Sequence, residues 1–182
     1  MRTADIVRAM LATAAATAVV TGCTSSTDGA ATGTAAPTMR PVEVFNPCTE
    51  LPDQVLTEVG LDPSTKTVTT DPPDGPSSWR VCGWITPDQS ILVDVFSTSH
   101  TLDEARANED MVQKVETTVG SRPAIRAYDK AESDGRSCYI SMQAEQGMFE
   151  IKAGWLAADG WTRDICEVST EYANALDPHL PR

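Results

Sequence analysis

An apolar run over residues 9–20 that leads into Thr21-Gly22-Cys23 limits most strongly what this chain can become. Arg2 and Arg8 supply a positively charged start, and this arrangement is typical of a secretory signal peptide. The run is shorter than the roughly 20 apolar residues that a permanent membrane-spanning helix needs. Small residues directly before a cysteine are typical of a lipoprotein-processing site, so we expect lipidation of the Cys23 thiol. The alternative is an ordinary cleaved signal peptide with an incidental cysteine.

The expected lipidation site divides the chain into three parts. We expect residues 1–22 to be a cleaved signal peptide, 23–42 a lipidated N terminus with a disordered linker, and 43–182 an extracytoplasmic α+β domain. The linker consists mostly of Thr, Ser, Ala and Gly, which cannot bury apolar surface. A flexible chain of this length spans about 25 Å, which would hold the domain off the bilayer. Its hydroxyl groups either carry sugars or stay unmodified.

The charge of the chain restricts its partners. The sequence has 14 Lys and Arg against 26 Asp and Glu, a formal net charge of −12. Such a surface repels nucleic-acid phosphates and anionic lipid headgroups, so we expect no nucleic-acid partner. Contact with the membrane is therefore expected through acyl chains on Cys23, which would anchor the protein on the outer face of the cell membrane.

Four cysteines remain after Cys23 is set aside, and an even number in an exported protein predicts two disulfides. Of the three pairings, we favour Cys48–Cys82 and Cys138–Cys166, because each joins neighbouring elements across a moderate loop. A zinc site is the competing interpretation. It is disfavoured because the sequence has no Cys-x-x-Cys motif and no nearby Cys and His pair.

The pattern of apolar residues predicts an α+β fold. We expect a single antiparallel sheet of about five strands with about three helices and two disulfides, the helices packed chiefly on one face. Thr101 and Glu104 form the pattern of a capping box at the start of the second helix. The predicted helices cover 52–59, 101–119 and 162–176, a loop covers 62–78, and the strands cover 79–85, 91–96, 124–129, 138–144 and 149–155.

The sequence shows no recognisable catalytic or metal motif. His100 and His179 are the only histidines, and both are expected in solvated positions near loops or the C terminus. The hydrolase elbow, the zinc-protease motif and a glycine-rich phosphate loop are absent from the sequence. We therefore predict no catalytic residues, no metal ligands and no cofactor. Trp155 and Trp161 either rim an apolar groove or pack in the core, and Trp84 is expected to pack on the neighbouring disulfide.

Several short motifs resemble one family of surface proteins. They are Asn46-Pro47-Cys48, Gly60-Leu61, Cys82-Gly83-Trp84, and Cys138 with Cys166 in a terminal helix. Together they resemble the actinobacterial, mycobacterial-type lipoproteins that carry the domain of unknown function 3558. The resemblance implies acylation at Cys23, two disulfides and an extracytoplasmic domain, and it implies no particular activity.

Three functions are compatible with these observations. We favour a lipid-anchored binding or accessory module of the cell envelope that is not an enzyme. Its partner would be an envelope protein or an apolar small molecule. The alternatives are an enzyme with an unrecognised acidic site, with Asp or Glu residues on the sheet, and a passive structural or interaction protein. A concave apolar pocket would favour the first function, and perturbed carboxylates that converge in one cleft would favour the second.

Overall fold

Seven strands and four α-helices make up the described part of the chain. The structure is a computed structural model, and it describes residues 43–73, 77–132, 134–157 and 163–182. The helices are α1 (Pro47–Glu50), α2 (Asp53–Glu58), α3 (Leu102–Ala107) and α4 (Ile165–Leu176), with short 3-10 helices at Lys130–Glu132 and Asp177–His179. The strands are β1 (Asp62–Thr70), β2 (Trp79–Ile85), β3 (Ile91–Thr98), β4 (Met111–Val119), β5 (Arg122–Asp129), β6 (Ser137–Ala144) and β7 (Gly147–Trp155).

The strands form one antiparallel sheet in the order β1-β2-β3-β7-β6-β5-β4. The α+β class and the single antiparallel sheet are as the sequence predicts. The expected number of strands, about five, is wrong because the sheet has seven, and four α-helices replace the expected three. The predicted signal peptide, Cys23 and the predicted linker lie outside the described residues.

One additional strand replaces the second half of a predicted helix. Helix α3 begins at the expected capping box, in which the Glu104 amide donates to the Thr101 hydroxyl. It ends at Ala107, and residues 111–119 form β4 instead of continuing the helix. A bulge between Val112 and Val115 shifts the strand register, and Gln113 has a φ of 53° there. Val112 and Val115 are three residues apart in the sequence, a spacing that resembles helical periodicity, and the bulge lies between them.

The other additional strand, β1, lies in the stretch predicted to be a loop. It pairs with β2 alone and lies at the edge of the sheet. Most of its side chains are polar and exposed, with Val68 53% exposed. Edge strands are commonly polar because polar residues discourage pairing with other chains. A strand with no buried face has no apolar alternation, so the sequence pattern does not reveal it.

The main core lies between one face of the sheet and helices α1, α2 and α4, and we call this face the helix face. Helix α4 packs on β6 and β7, and α1 and α2 pack at the β1–β3 end. The largest buried side chains of this core include Trp84, Phe149 and Ile151. Disulfides join Cys48 to Cys82 and Cys138 to Cys166, the favoured pairing. They fix α1 to β2 and α4 to β6.

The opposite face of the sheet, which we call the open face, has much less cover. Helix α3 packs there against β4, β5 and β6. Its buried Leu102 and Ala105 form a small second cluster with Ile125 and Met148. Because α3 has only six residues, it covers one end of this face and leaves Asp94, Tyr139 and Lys152 of the middle strands partly exposed.

Candidate functional site: the open face of the sheet

Strand register brings polar side chains together in the middle of the open face. One row across β2, β3, β7 and β6 consists of Gly83, Asp94, Lys152 and Tyr139. The adjacent row consists of Val81, Phe96, Glu150 and Ser141. Because side chains alternate across a strand, these residues point away from the helix-face core. Two cavities lie along these rows.

The first cavity, which we call the Asp94 cavity, has a volume of about 380 Å³. Its wall includes Leu92, Trp155 and Leu156, which are apolar, together with several charged groups. Gly154 contributes no side chain, which leaves space between Leu92 on β3 and Ser137 on β6. The charged lining residues are Asp94, Glu132, Asp134, Arg136 and Lys152.

Electrostatics in the Asp94 cavity centre on Lys152. Its Nζ lies 3.0 Å from a Glu132 carboxylate oxygen and 5.2 Å from the Tyr139 ring centroid. Burial opposes the charge of Lys152, but the Glu132 carboxylate and Tyr139 outweigh burial and raise the pKa of Lys152. A hydrogen bond from Ser137 and the contact with Lys152 lower the pKa of Glu132. The Lys152–Glu132 pair is therefore charged at neutral pH.

Neighbouring groups stabilise the carboxylate charge of Asp94 less than that of Glu132. Burial raises the pKa of Asp94 from 3.8 to about 6; Lys152 opposes this shift, and Glu132 adds to it. Its carboxylate lies over the Cα of Gly83, where an added Cβ would overlap a carboxylate oxygen. The absence of a side chain at position 83 is what allows Asp94 to occupy this place.

The second cavity, which we call the Glu150 cavity, has a volume of about 360 Å³. It lies beside α3 and is lined by Trp79, His100, Glu104, Ala105, Asn108, Met111, Asp129, Tyr139, Met148 and Glu150. Glu150 is only 8% exposed, and its Oε1 accepts a hydrogen bond of 2.7 Å from the Ser141 hydroxyl. Burial raises the pKa of Glu150, and the Ser141 bond opposes this shift.

A series of aromatic rings runs along the open face beside Glu150. The centroids of Trp79 and Phe96 are 6.4 Å apart, and those of Phe96 and Tyr139 are 6.0 Å apart. The His100 ring lies 5.4 Å from Trp79. These separations are typical of favourable aromatic pairs. The rings therefore form a largely apolar wall that continues from β2 to β6.

The residues singled out in the sequence have different positions in the fold. His179 is exposed near the C terminus, whereas the exposed His100 borders the Glu150 cavity. Trp155 lines the Asp94 cavity and also contacts the main core. It therefore agrees in part with a groove-lining role and in part with core packing. Trp84 is buried in the same core as Cys82, and Trp161 lies outside the described residues.

Sequence reasoning missed Asp94, Glu150 and Lys152. The available signal was a charged residue inside an otherwise apolar strand, as in Ile91-Leu92-Val93-Asp94-Val95-Phe96. Such a residue indicates a strand face that is not fully packed. Their mutual arrangement could not be predicted, because β3 and β7 are neighbours in the sheet but not in the sequence.

Two common kinds of feature are absent from the described ranges. No group of three or more His, Cys, Asp or Glu residues there is arranged to hold a metal ion. None of the helices within the same ranges is long and apolar enough to cross a membrane.

Comparison with known proteins gives a family and no activity. No curated protein and no solved structure matches the chain. A family model described as "Protein of unknown function (DUF3558)" matches residues 18–179, which is most of the sequence. The chain therefore belongs to the DUF3558 family of proteins of unknown function.

Proposed function

We propose that the mature protein is a binding or accessory module that acyl chains on Cys23 hold on the outer face of the cell membrane. The N-terminal pattern of Arg2, Arg8, an apolar run and Thr21-Gly22-Cys23 supports the anchor. Two or three acyl chains on one residue give durable attachment, whereas one chain gives only marginal attachment. The domain would then present its open face to the cell envelope.

The observation that carries the binding proposal is the contrast between the two faces of the sheet. Three helices and two disulfides fill the helix face. The open face keeps two cavities of about 380 and 360 Å³, each with apolar walls and a few polar groups. Small-molecule sites commonly have this size and composition. An apolar small molecule with a polar end, or a side chain of an envelope protein, fits such a cavity.

The geometry favours binding over acid–base catalysis. The two carboxyl groups with raised pKa, Asp94 and Glu150, line different cavities and do not converge in one cleft. We therefore propose that the protein is not an enzyme. The net charge of −12 disfavours nucleic acid as a partner.

Native mass spectrometry of the protein taken from its own membrane tests both parts of the proposal. We expect the spectrum to show the mass of the acyl chains together with a bound molecule. Replacing Cys23 with Ala should remove the acyl mass and release the protein from the membrane fraction. Firm membrane retention of the Cys23→Ala variant would contradict the anchor.

Two cavity-filling variants and one matched variant locate the bound molecule. Asn108→Trp partly fills the Glu150 cavity, and Gly154→Leu partly fills the Asp94 cavity. Gln54→Trp adds the same ring as Asn108→Trp at an exposed position of α2, away from both cavities. We expect at least one cavity variant to lose the bound molecule and Gln54→Trp to keep it. No bound molecule on the wild-type protein, or equal retention by all variants, would contradict the binding proposal.

A further inference from the structure

The Glu150 cavity has a polar group at its floor that is only partly satisfied. Glu150 is 8% exposed, yet it belongs to the cavity lining. Within the described part of the chain, Ser141 is the residue that donates a hydrogen bond to this carboxyl, and it donates to Oε1. Oε2 is therefore available to a group inside the cavity. A buried carboxyl with an available oxygen favours a ligand that donates a hydrogen bond.

The charged groups around the cavity determine which sign of charge that ligand can carry. Glu104, Asp129 and Glu150 all line the cavity, and its lining contains no Lys or Arg. His100 is the remaining titratable base, and its Nδ1 lies 3.4 Å from Glu104. The nearby Lys152 lines the other cavity and is paired with Glu132. An anion would meet three carboxyl groups here, whereas a cation would be attracted by them.

The apolar part of the lining selects the shape of the ligand. Trp79 and Tyr139 present aromatic rings, and Met111 and Met148 add flexible apolar surface. Aromatic faces attract organic cations, and a methionine side chain adapts to an apolar group of irregular shape. The volume of about 360 Å³ suits a small molecule more than a folded partner.

We propose that the Glu150 cavity binds a small organic ammonium ion, whose N–H donates to Glu150 while its apolar part packs against Trp79, Met111 and Met148. This inference rests on the proposed binding function and names the chemical class of ligand. An ammonium with at least one N–H is favoured over a quaternary ammonium, because only the former can donate to Oε2.

Binding of such a cation is coupled to a proton. Burial raises the pKa of Glu150, so this carboxyl keeps its proton to a higher pH in the empty cavity than an exposed glutamate does. An ammonium ion favours the carboxylate, so the carboxyl proton passes to the buffer when the ligand binds. Affinity should therefore increase with pH until Glu150 is ionised in the empty protein. The charged or titratable groups that line the cavity with Glu150 are Tyr139 of β6, His100 before α3, Glu104 of α3 and Asp129 of β5. Lys152 lies two residues further along the same face of β7 and is paired with Glu132, and the β3 neighbour of Glu150, Phe96, is uncharged.

Titration calorimetry of the full lipidated protein in a non-ionic detergent tests this inference. The probes are phenethylammonium, the uncharged 2-phenylethanol of similar shape, and the anion 3-phenylpropanoate. We expect phenethylammonium to bind at least tenfold more tightly than either other probe at pH 7. Its affinity should rise by up to tenfold per pH unit, and buffers of different ionisation enthalpy should reveal release of up to one proton.

Glu150→Gln separates the charge of Glu150 from its packing, because glutamine can keep the hydrogen bond from Ser141. We expect this variant to weaken phenethylammonium binding at least tenfold and to leave 2-phenylethanol binding unchanged. Glu58→Gln makes the same charge change at an exposed position of α2 and should leave both affinities unchanged. His100→Gln should keep the pH dependence, which assigns the released proton to Glu150 rather than to His100.

Each other outcome overturns the inference. Equal binding of 2-phenylethanol, preferred binding of 3-phenylpropanoate, or unchanged amine binding in Glu150→Gln would assign the cavity to another ligand class. Those results would leave the binding function in place. Absence of binding by all three probes would also reject the ammonium ligand, and native mass spectrometry of the membrane-derived protein would then show independently whether the binding function fails too.

Discussion

Gly83 of β2 lies directly opposite Asp94 of β3, and the Asp94 carboxylate occupies the space that a side chain at position 83 would need. This relationship places an acidic group in the middle of a sheet without a salt bridge of its own in the described residues. It explains why the Cys82-Gly83-Trp84 segment needs glycine at its centre. Cys82 and Trp84 fill the helix face, while Gly83 leaves room on the open face.

Replacing Gly83 with Ala should destabilise the protein by about 1–3 kcal/mol, because the added methyl group overlaps the Asp94 carboxylate. Gly154→Ala is the matched change, since the nearest atom to its added Cβ is the Ser137 Cβ at 3.5 Å, an ordinary contact. That variant should change the free energy of unfolding by less than about 0.5 kcal/mol. Urea unfolding measures both values. Equal effects of the two variants would mean that the Gly83–Asp94 contact has no special cost.

Asp94 makes stability depend on pH in a defined direction. Its pKa is raised in the folded protein to about 6 from 3.8, so between these pH values the folded state binds more protons than the unfolded state. Stability is therefore highest below about pH 4 for this group and decreases as pH rises through 6. Asp94→Asn should remove this loss and stabilise the protein at pH 7 by about 2 kcal/mol, since one pKa unit corresponds to about 1.4 kcal/mol and solvent reaches part of the side chain.

The free energy of unfolding is measured for the wild type and for Asp94→Asn at pH 4 and at pH 7. The contribution of Asp94 is the gain in stability of the variant over the wild type at pH 7 minus the same gain at pH 4. The variant should be close to the wild type at pH 4 and more stable at pH 7. Asp62→Asn is a control of opposite sign, because hydrogen bonds from Ser64 lower the pKa of the half-buried Asp62, so this variant should lose stability at pH 7 rather than gain it. An Asp94 carboxyl that titrates below pH 4 by carbon-13 NMR would contradict the burial effect.

Each disulfide should contribute about 3–4 kcal/mol to stability, because it closes a loop of about 30 residues in the unfolded chain. Removing Cys138 and Cys166 together as Ala should lower the unfolding free energy by that amount. Reductant should then lower it further by breaking Cys48–Cys82 alone. Thiol counting under denaturing conditions checks the pairing. A reduced protein as stable as the oxidised one would show that the bonds are energetically neutral.

The predicted elements that are confirmed have a clear one-sided apolar pattern or a specific cap. Strands β2, β3, β6 and β7 alternate apolar and other residues, and Thr101 with Glu104 marks the start of α3. The failures have physical causes. In β4, Val112 and Val115 have a helical spacing in the sequence, and the bulge between them accommodates it in a strand. The polar edge strand β1 buries almost no side chain.

The candidate site was less accessible to sequence reasoning than the fold. The disulfide pairing was favoured because each bond joins neighbouring elements across a moderate loop, and the structure has that pairing, although α1, which carries Cys48, was not predicted. The rows that contain Asp94 and Glu150 form because β7 lies between β3 and β6 in the sheet. In the sequence, β4 and β5 separate β3 from β6 and β7, so this neighbourhood could not be read from the chain. The open face also exists only because α3 ends at Ala107. A helix continuing to residue 119, as predicted, would have left no strand β4 beside β5.

Photo-crosslinking in living cells tests most directly whether the open face is a binding face. A photoreactive phenylalanine replaces Asn108, which borders the Glu150 cavity, or Gln54, which is exposed on α2. We predict that the probe at position 108 forms a defined adduct with a small molecule or an envelope protein in the membrane fraction, and that the probe at position 54 does not. No adduct at position 108, or the same adducts at both positions, would contradict a specific binding function of the open face.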